Sequence, residues 1–494
     1  MPKRNVILIS SDQFRWDVLS GYGGRVIQTT NFDQLAGEGV VFTNACSSNP
    51  TCIPARATIT TGNHSHKCTG IKGNAGRIRD DQVKIAAHFA AHGYETYAIG
   101  KLHYVPYQVP RLVHGFAHWE LCEEGRLLWQ AEVTGEDLGS EEYHDYLAQV
   151  GFANMSRAHG IGNNDVRAAV SPLPVEHYVD TWVLNRTVHY LETHLRESRN
   201  RPFFAWMSFP KPHSPYDPPE PYHKIVGAAD VPEPIGSLEM LAGRNPELQG
   251  RHFRYYWNLL SKQMVQLSRA RYHSLVCLQD HLIGELLTFL EENDLREDTV
   301  ILFTADHGDL LGDFGLFFKS CFLNGSVRIP FVLSYPSALP RGQERAHLVG
   351  LEDVLPTLCD LAGIAVPPGI DGRSVLPVVQ DPGGRLREIY ISQHGDDPNQ
   401  LYMAFDGRMK YCYAQQGRTE ELYDQENDPR ELVNLAREGS HRSRVKDLRD
   451  AVIAWCRENG DDHMLDGQGW LKEAPVAVEH EGKPQPGMLG WRKY

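Results

Sequence analysis

The sequence predicts an α/β protein with a large, doubly wound and mostly parallel sheet flanked by helices, followed by a smaller C-terminal α+β domain. Short apolar runs of four to eight residues recur along the first part of the chain, and polar or glycine residues end them, which is typical of buried parallel strands. Long helical patterns separate these runs, as they do in doubly wound sheets. After about residue 380 short β-like pieces replace this alternation. We therefore expect a large domain over residues 1–380 and a smaller domain with the tail over 381–494.

Local patterns justify the individual elements. Thr30 and Asp33 form a capping pattern that predicts a helix over 32–38, and Gly39 is expected to end it. Apolar residues at helical or strand spacing predict the remaining elements. The other predicted helices span 81–92, 178–195, 267–295 and 445–459, and the predicted strands span 5–10, 40–43, 94–99, 202–209, 299–304, 388–392, 401–405 and 409–413.

Two stretches of the large domain look like insertions. Residues 104–176 lack sustained periodicity, and residues 210–250 are rich in proline. Long loops at the rim of a sheet commonly determine which substrate is accepted.

Composition limits the class of protein. With 41% hydrophobic and 23% charged residues, the 494-residue chain has ordinary globular values. A net charge of -14 disfavours nucleic acid or an anionic membrane as the main partner. The first predicted strand begins directly after Arg4, and the nine cysteines include no C-x-x-C pair. These features lead us to expect a cytoplasmic protein that does not associate with membranes.

Acidic residues follow two of the predicted strands. Asp12 and Gln13 come directly after the first strand, and Asp306 and His307 follow the late strand 299–304. Because ligands collect at the carboxyl ends of strands in open α/β sheets, we expect these side chains to meet. Each aspartate alone is equally well explained as a cap or a turn. Together they predict one divalent cation: oxygen ligands favour Ca²⁺, with Mn²⁺ or Mg²⁺ as alternatives, while the imidazole also suits Zn²⁺.

The run Cys52-Ile53-Pro54-Ala55-Arg56 has the pattern C-x-P-x-R. With nine Cys, 30 Pro and 49 Lys+Arg in the chain, at most about 0.05 matches are expected by chance. A buried thiol is the plainer interpretation of an arbitrary cysteine. Here Pro54 suits the first turn of a helix, so that Cys52 would face the positive end of that helix, where anions are stabilised.

Lysine and histidine residues follow other predicted strands. Lys101 and His103 follow strand 94–99, and Lys211 and His213 follow strand 202–209 in the same spacing. Lys319 lies shortly after Asp313, in GDFGLFFKS. If the chain stays extended, residues two apart point the same way. Each lysine alone is well explained as a solvated side chain, but several at strand ends of an acidic protein favour an anion site.

Taken together, these blocks resemble the formylglycine-dependent sulfatases of the alkaline phosphatase superfamily. The resemblance runs in register from NVILISSDQ through CIPARATITTG, GKLHY, KPHSP and TADHGDLLGD to ELYDQENDPRELVNLA, and covers essentially the whole sequence. It implies an alkaline phosphatase-like catalytic domain and a small anionic ester substrate. It also implies a formylglycine-generating or sulfatase-maturing enzyme as a partner that oxidises Cys52 to formylglycine.

The resemblance also implies roles for single residues. Asp12, Asp306 and His307 resemble metal ligands, with Gln13 as a further one and the modified Cys52 sharing the cation. The hydrate of formylglycine offers two hydroxyls on one carbon, of which one attacks and the other later expels sulfate. Arg56, Lys101 and His103 resemble the residues that orient the hydrate, and His103 also takes up a proton. His213 and Lys319 resemble the residues that protonate the leaving group and clamp the anion. Asn74 corresponds to a residue that contacts the ester oxygens.

The chain departs from the pattern of many sulfatases. Those proteins have Asp-Asp after the first strand and Asp-Asn after the late one, whereas the pairs here are Asp12-Gln13 and Asp306-His307. This combination resembles the branch that contains phosphonate monoester hydrolases, choline sulfatases and related arylsulfatases. We therefore expect sulfate monoester hydrolysis, with phosphonate monoester or phosphodiester hydrolysis at the same site as the alternative. A non-catalytic binding protein is the third hypothesis, and the intact set of site residues argues against it.

Two further features have only their position to support them. His394 lies at the end of a predicted strand in the smaller domain, from where it would reach the cleft. The tail over 468–494 carries aromatic, glycine and proline residues that suit packing against a second copy in a homo-oligomer.

Overall fold

The computed structural model describes residues 4–104, 113–124 and 141–476, and these form one eight-stranded and one four-stranded sheet. The larger sheet is mostly parallel, as predicted, and only β7 runs antiparallel to its neighbours β6 and β2. Its strands, in the spatial order β4-β3-β5-β1-β6-β7-β2-β8, are β1 Asn5–Asp12, β2 Gly39–Cys46, β3 Glu95–Gly100, β4 His118–Leu121, β5 Phe203–Pro212, β6 Thr299–Ala305, β7 Phe331–Ser334 and β8 Gln343–Gly350.

Helices cover both faces of this sheet. The central strand β1 is buried on both sides, with Val6, Ile7 and Leu8 inaccessible to solvent. Such burial explains why the central strands are continuous apolar runs. Among the described residues the α-helices are α1 Thr30–Gly37, α2 Cys52–Thr61, α3 Ser65–Cys68, α4 Ile85–Ala91, α5 Glu142–Gln149, α6 Val179–Glu197, α7 Pro246–Arg254, α8 Lys262–Glu292, α9 Asn324–Val327, α10 Val354–Ala362, α11 Leu376–Gln380 and α12 Arg442–Glu458. No helix in the described ranges is both long enough and apolar enough to cross a membrane.

The smaller sheet is antiparallel in the order β12-β11-β10-β9. One face, which includes Tyr402 and Tyr411, packs against α12. The opposite face, which includes Leu401 and Met403, packs with Cys46 and Phe322 of the large domain, so the smaller sheet is joined to the larger one by an apolar interface. Its strands are β9 Tyr390–His394, β10 Leu401–Phe405, β11 Met409–Ala414 and β12 Thr419–Asp424.

All the predicted strands and helices are present with shifted ends, but two details of the prediction were wrong. Residues 104–176 are not wholly an insertion, because β4 lies within them and pairs with β3 at the edge of the large sheet. An edge strand with exposed residues carries no apolar run. The start of α1 is not capped by its own Thr30 and Asp33: Asp280 of α8 accepts the Asn31 and Phe32 N–H groups instead.

Parts of the expected insertion and tail, residues 105–112, 125–140 and 477–494, lie outside the described residues. The tail expected to support a homo-oligomer is therefore described only as far as residue 476.

Candidate active site

The carboxyl ends of β1 and β6 bring the two predicted aspartates together. The strands are adjacent and parallel, with Ser11 opposite Ala305, so Asp12 and Asp306 leave the sheet side by side. The Gln13 N–H donates to Asp306 Oδ1 at 3.0 Å and links the two strand ends. Both aspartates are fully buried.

Helix α2 brings Cys52 to the same place. Cys52 is the first residue of the helix and Pro54 lies in its first turn, as the motif predicted. The side-chain oxygen of Asn74 accepts the Ile53 N–H at 3.0 Å, so Asn74 binds one of the free donors at the start of this helix. Cys52 Sγ lies 3.1 Å from His307 Nε2 and 3.9 Å from Asp12 Oδ1.

Four of these side chains form a group that suits a metal ion. One ligand atom each of Asp12, Cys52, Asp306 and His307 lies within 4.8 Å of the others, and all four residues are buried. His307 Nδ1 faces the Gly308 carbonyl oxygen at 3.0 Å, which places the proton on Nδ1, so Nε2, beside Cys52 Sγ, is the nitrogen that can act as a metal ligand. Two carboxylates and an imidazole are donors that fit a single divalent ion.

Arg56 and Lys101 pair with the carboxylates of Asp12 and Asp306. Arg56 Nε donates to Asp306 Oδ2 at 2.9 Å and its Nη2 donates to Asp12 Oδ2 at 3.3 Å. Lys101 Nζ lies 2.6 Å from Asp12 Oδ2 and 2.6 Å from Glu124 Oε2. Burial alone raises the pKa of Asp12, but Lys101 and the other nearby cations outweigh it and hold this pKa well below its usual range.

The backbone beyond β3 differs from the prediction. Lys101 and His103 were expected to point the same way if the chain stayed extended, but it does not stay extended, because Gly100 has φ 99° and His103 has φ 49°. A Cβ at Gly100 would lie 1.9 Å from the Ser208 carbonyl oxygen, so only glycine fits there. Lys101 turns onto Asp12, while His103 lines the cavity in front of Cys52.

Lys319 lines the same cavity as Cys52. Its Nζ donates to Gln13 Oε1 at 2.5 Å, and Gln13 Nε2 donates to Asp309 Oδ2 at 2.5 Å. Burial and Asp12 raise the pKa of the Cys52 thiol, but Lys319 and His307 outweigh them and the pKa falls below its ordinary value.

His213 completes the predicted set. Its Nδ1 donates to the Ser214 carbonyl oxygen at 2.9 Å and lies 3.5 Å from Glu124 Oε1. Burial, and then the charge of Lys319, hold the pKa of His213 well below its usual value. Lys211 follows its strand in the same spacing as Lys101, but its ammonium group binds Asp217 at 2.5 Å and does not line the cavity.

Sequence reasoning missed Glu124 and Asp309. Glu124 lies in a segment without periodicity, and nothing in the sequence relates it to Lys101 or His213. Asp309 carries a detectable signal, since it lies within the TADHGD block, three residues after Asp306. It orients Gln13 and also accepts the Tyr216 hydroxyl at 2.6 Å.

A cavity of about 300 Å³ opens in front of Cys52, between the large domain and the smaller sheet. Asn74, His103, His213 and Lys319 line it together with Cys52. The lining also includes residues of both expected insertions, of the segment directly after the second insertion and of the smaller domain: Asn164, Asn245, Glu247, Arg251, Tyr255, His394, Asn399 and Gln416.

Comparisons with known proteins place the chain in a family. Residues 4–364 match the family described as Sulfatase, and residues 312–458 match the one described as N-sulphoglucosamine sulphohydrolase, C-terminal. An arylsulfatase of Clostridium perfringens is 30% identical over 495 residues, which are 96% of this chain and 99% of that protein. The chain therefore belongs to the sulfatase family of the alkaline phosphatase superfamily, and it is a sulfuric ester hydrolase.

Solved structures share the fold. The phosphonate monoester hydrolase of Agrobacterium radiobacter superposes with a TM-score of 0.77 at 22% identity, over 96% of this chain and 100% of that one. A protein solved in complex with its substrate D-glucosamine-2-N,6-O-disulfate gives 0.74 at 22% identity, over 93% and 99%. The alkaline phosphatase-like fold expected from the sequence is thereby confirmed.

Proposed function

We propose that the protein hydrolyses sulfate monoesters with a formylglycine nucleophile made from Cys52 by a sulfatase-maturing enzyme. The observation that supports this proposal most strongly is that one ligand atom each of the buried residues Asp12, Cys52, Asp306 and His307 lies within 4.8 Å of the others. The substrate class is a small anionic ester, which the cavity of about 300 Å³ can accommodate.

Asp12, Asp306 and His307 would hold one divalent cation, with the amide oxygen of Gln13 as a further donor. The carboxylates favour Ca²⁺, and Mn²⁺ or Mg²⁺ are the alternatives. When bound, such a cation neutralises charge on the anionic ester and polarises its oxygens.

Position 52 is suited to the attacking group. Once oxidised and hydrated, its side chain carries two hydroxyls: one displaces the alcohol from sulfur, and loss of the proton from the other releases sulfate and restores the aldehyde. The start of α2 stabilises negative charge that develops there. His103 lines the cavity beside position 52, where it can take that second proton.

Lys319 and His213 act on different parts of the ester, the sulfate group and the leaving alcohol. Lys319 clamps the anion, and His213 protonates the alcohol as it leaves. In the free site burial and Lys319 keep the pKa of His213 low. A bound anionic ester adds the negative charge that opposes Lys319 and favours the protonated imidazole.

Hydrolysis of phosphonate monoesters or phosphodiesters is the second candidate. Gln13 and His307 replace carboxylate or amide groups of other sulfatases, so that the site contains one carboxylate fewer. Phosphonate monoesters and phosphodiesters carry one negative charge, as sulfate monoesters do, so a site of this charge can accept them as well.

The test combines mass and activity. Protein produced with a maturing enzyme is digested, and we expect the Cys52 peptide to have the mass of the aldehyde or its hydrate. The same protein is assayed on 4-nitrophenyl sulfate and on 4-nitrophenyl phenylphosphonate, and sulfate is expected to be the better substrate. Cys52→Ala should remove turnover, whereas Cys277→Ala, at a part-exposed thiol of α8, is the matched control. Equal turnover by the Cys52→Ala protein would overturn the proposal, and faster phosphonate release would favour the second candidate.

A further inference from the structure

His394 of the smaller domain lies beside the residue that precedes Cys52. It ends β9, lines the cavity and remains partly accessible from it. Its Nδ1 lies 3.0 Å from Thr51 Oγ1 and 3.1 Å from Asn49 Oδ1. The Gln393 N–H donates to the Ser48 carbonyl oxygen at 3.1 Å, so β9 is held against the segment that leads into α2.

Asn49 determines which nitrogen of His394 carries the proton. Asn49 Nδ2 donates to the Lys72 carbonyl oxygen at 2.9 Å and to Ser65 Oγ at 3.0 Å. A flipped amide would place two oxygens against each other at Lys72, so Oδ1 must face His394. Because Oδ1 can only accept, Nδ1 is the protonated nitrogen.

The other ring nitrogen is therefore an acceptor. Burial, and then the charge of Arg251, lower the pKa of His394 to about 3, so the ring is neutral. Within the described residues no protein group donates to Nε2. A neutral imidazole protonated on Nδ1 offers a lone pair at Nε2.

The turn after β9 keeps this ring in place. Gly395 has φ 73°, and a Cβ there would lie 2.3 Å from the Asn399 carbonyl oxygen, so only glycine allows this close turn. Asn399 also lines the cavity.

We propose that His394 is a specificity-determining residue whose Nε2 accepts a hydrogen bond from a hydroxyl group on the alcohol part of the ester. This inference rests on the proposed hydrolysis of sulfate esters at Cys52. A hydroxyl is favoured over an ammonium group because the two cations Arg251 and Lys319 outnumber the one carboxylate, Glu247, among the residues that line the cavity. The preferred substrates are thus esters whose alcohol carries a second hydroxyl near the sulfate.

Two substitutions separate this role from a structural one. In His394→Asn the amide N–H can still reach Asn49 Oδ1, but no group remains at the position of Nε2. In His394→Gln the amide oxygen can reach the position of Nε2, while the contact with Asn49 is lost. A purely structural histidine would tolerate the first change better, and an acceptor for substrate would tolerate the second better.

The experiment measures kcat/KM for two matched pairs, 2-hydroxyphenyl and 2-methoxyphenyl sulfate, and 3-hydroxyphenyl and 3-methoxyphenyl sulfate. We expect the wild-type protein to prefer the hydroxyl member of at least one pair, and His394→Asn to reduce that preference about fivefold. His394→Gln should retain most of it.

The outcomes distinguish failure of the role of His394 from failure of the proposed function. The role of His394 is overturned, while the proposed function stands, in either of two cases. In the first, the wild type releases sulfate with no preference for the hydroxyl members. In the second, it shows that preference and His394→Asn leaves it unchanged. No sulfate release from any of the four esters by protein that carries formylglycine overturns the proposed function and this inference with it.

Discussion

Replacing Lys72 with methionine is expected to destabilise the protein by about 3–5 kcal/mol, because it removes the cation from a buried carboxylate. Lys72 lies in the large domain, two residues before Asn74, and its ammonium group enters the smaller domain. There Nζ lies 3.2 Å from both carboxylate oxygens of Asp461, and it donates to Gln400 Oε1 at 2.6 Å and to the Tyr402 hydroxyl at 2.8 Å.

The magnitude follows from burial. The side chains of Lys72 and Asp461 are 2% and 0% exposed, so water cannot replace either partner. Burial lowers the pKa of Lys72, and Asp461 opposes that effect. Removing both charges together, in Lys72→Met/Asp461→Asn, leaves no unpaired charge. We therefore expect the double variant to be more stable than Lys72→Met alone.

Lys67 supplies a matched control. It also reaches the smaller domain, where it donates to Asn459 Oδ1 at 3.0 Å, and it pairs with Asp371 of the large domain at 2.5 Å, but its side chain is 32% exposed. Lys67→Met should therefore cost less than about 1 kcal/mol.

Urea unfolding of the four proteins, compared at equal m-values, measures these differences. The reasoning is refuted if Lys72→Met loses no more stability than Lys67→Met, or if the double variant is less stable than Lys72→Met.

Three further predictions concern the site and the core. Chelation of divalent cations should lower the melting temperature and stop sulfate release, with Ca²⁺ restoring both, because a cation that binds only the folded state stabilises it; an unchanged melting temperature in EDTA would contradict the cation site. His213→Ala should slow esters with poor leaving groups by roughly 10²- to 10⁴-fold and activated aryl esters far less, so equal losses across a leaving-group series would disprove its role as an acid. His273, whose pKa burial lowers to about 4, is neutral in the folded state, whereas the unfolded chain binds a proton below about 6.5. The wild type thus loses stability as the pH falls from about 6.5 to about 4. His273→Gln has no imidazole at this position, so its unfolding free energy minus that of the wild type should rise as the pH falls through that window, by up to about 1.4 kcal/mol per pH unit. Parallel pH profiles would contradict this.

Sequence reasoning succeeded where local pattern and topology coincide. The ends of β1 and β6 carry Asp12 and Asp306, and parallel strands necessarily end at the same edge of a sheet. The helix that starts at Cys52 was predicted for a similar reason, since Pro54 suits only its first turn.

The features that were missed depend on contacts distant in sequence. The four-residue strand β7 is inserted antiparallel between β6 and β2, and β4 is an edge strand without an apolar run. The cap of α1 comes from Asp280, about 250 positions along the chain, and no local pattern reveals such a partner. His394 was expected from its position to reach the cleft, and it lines the cavity, but its contacts with Asn49 and Thr51 could not be read from any local pattern.

The amide at position 13 explains how an acidic protein can present a cation to an anionic ester. Lys319 donates to Gln13 Oε1, and no carboxylate lies within ion-pair distance of its ammonium group in the described part of the chain. An aspartate at position 13 would form a buried ion pair with Lys319 and cancel its charge. Arg56 and Lys101, in contrast, are already paired with Asp12, and Arg56 also with Asp306. Gln13 therefore leaves the charge of Lys319 available to the substrate, which is the electrostatic condition for Lys319 to act as the anion clamp.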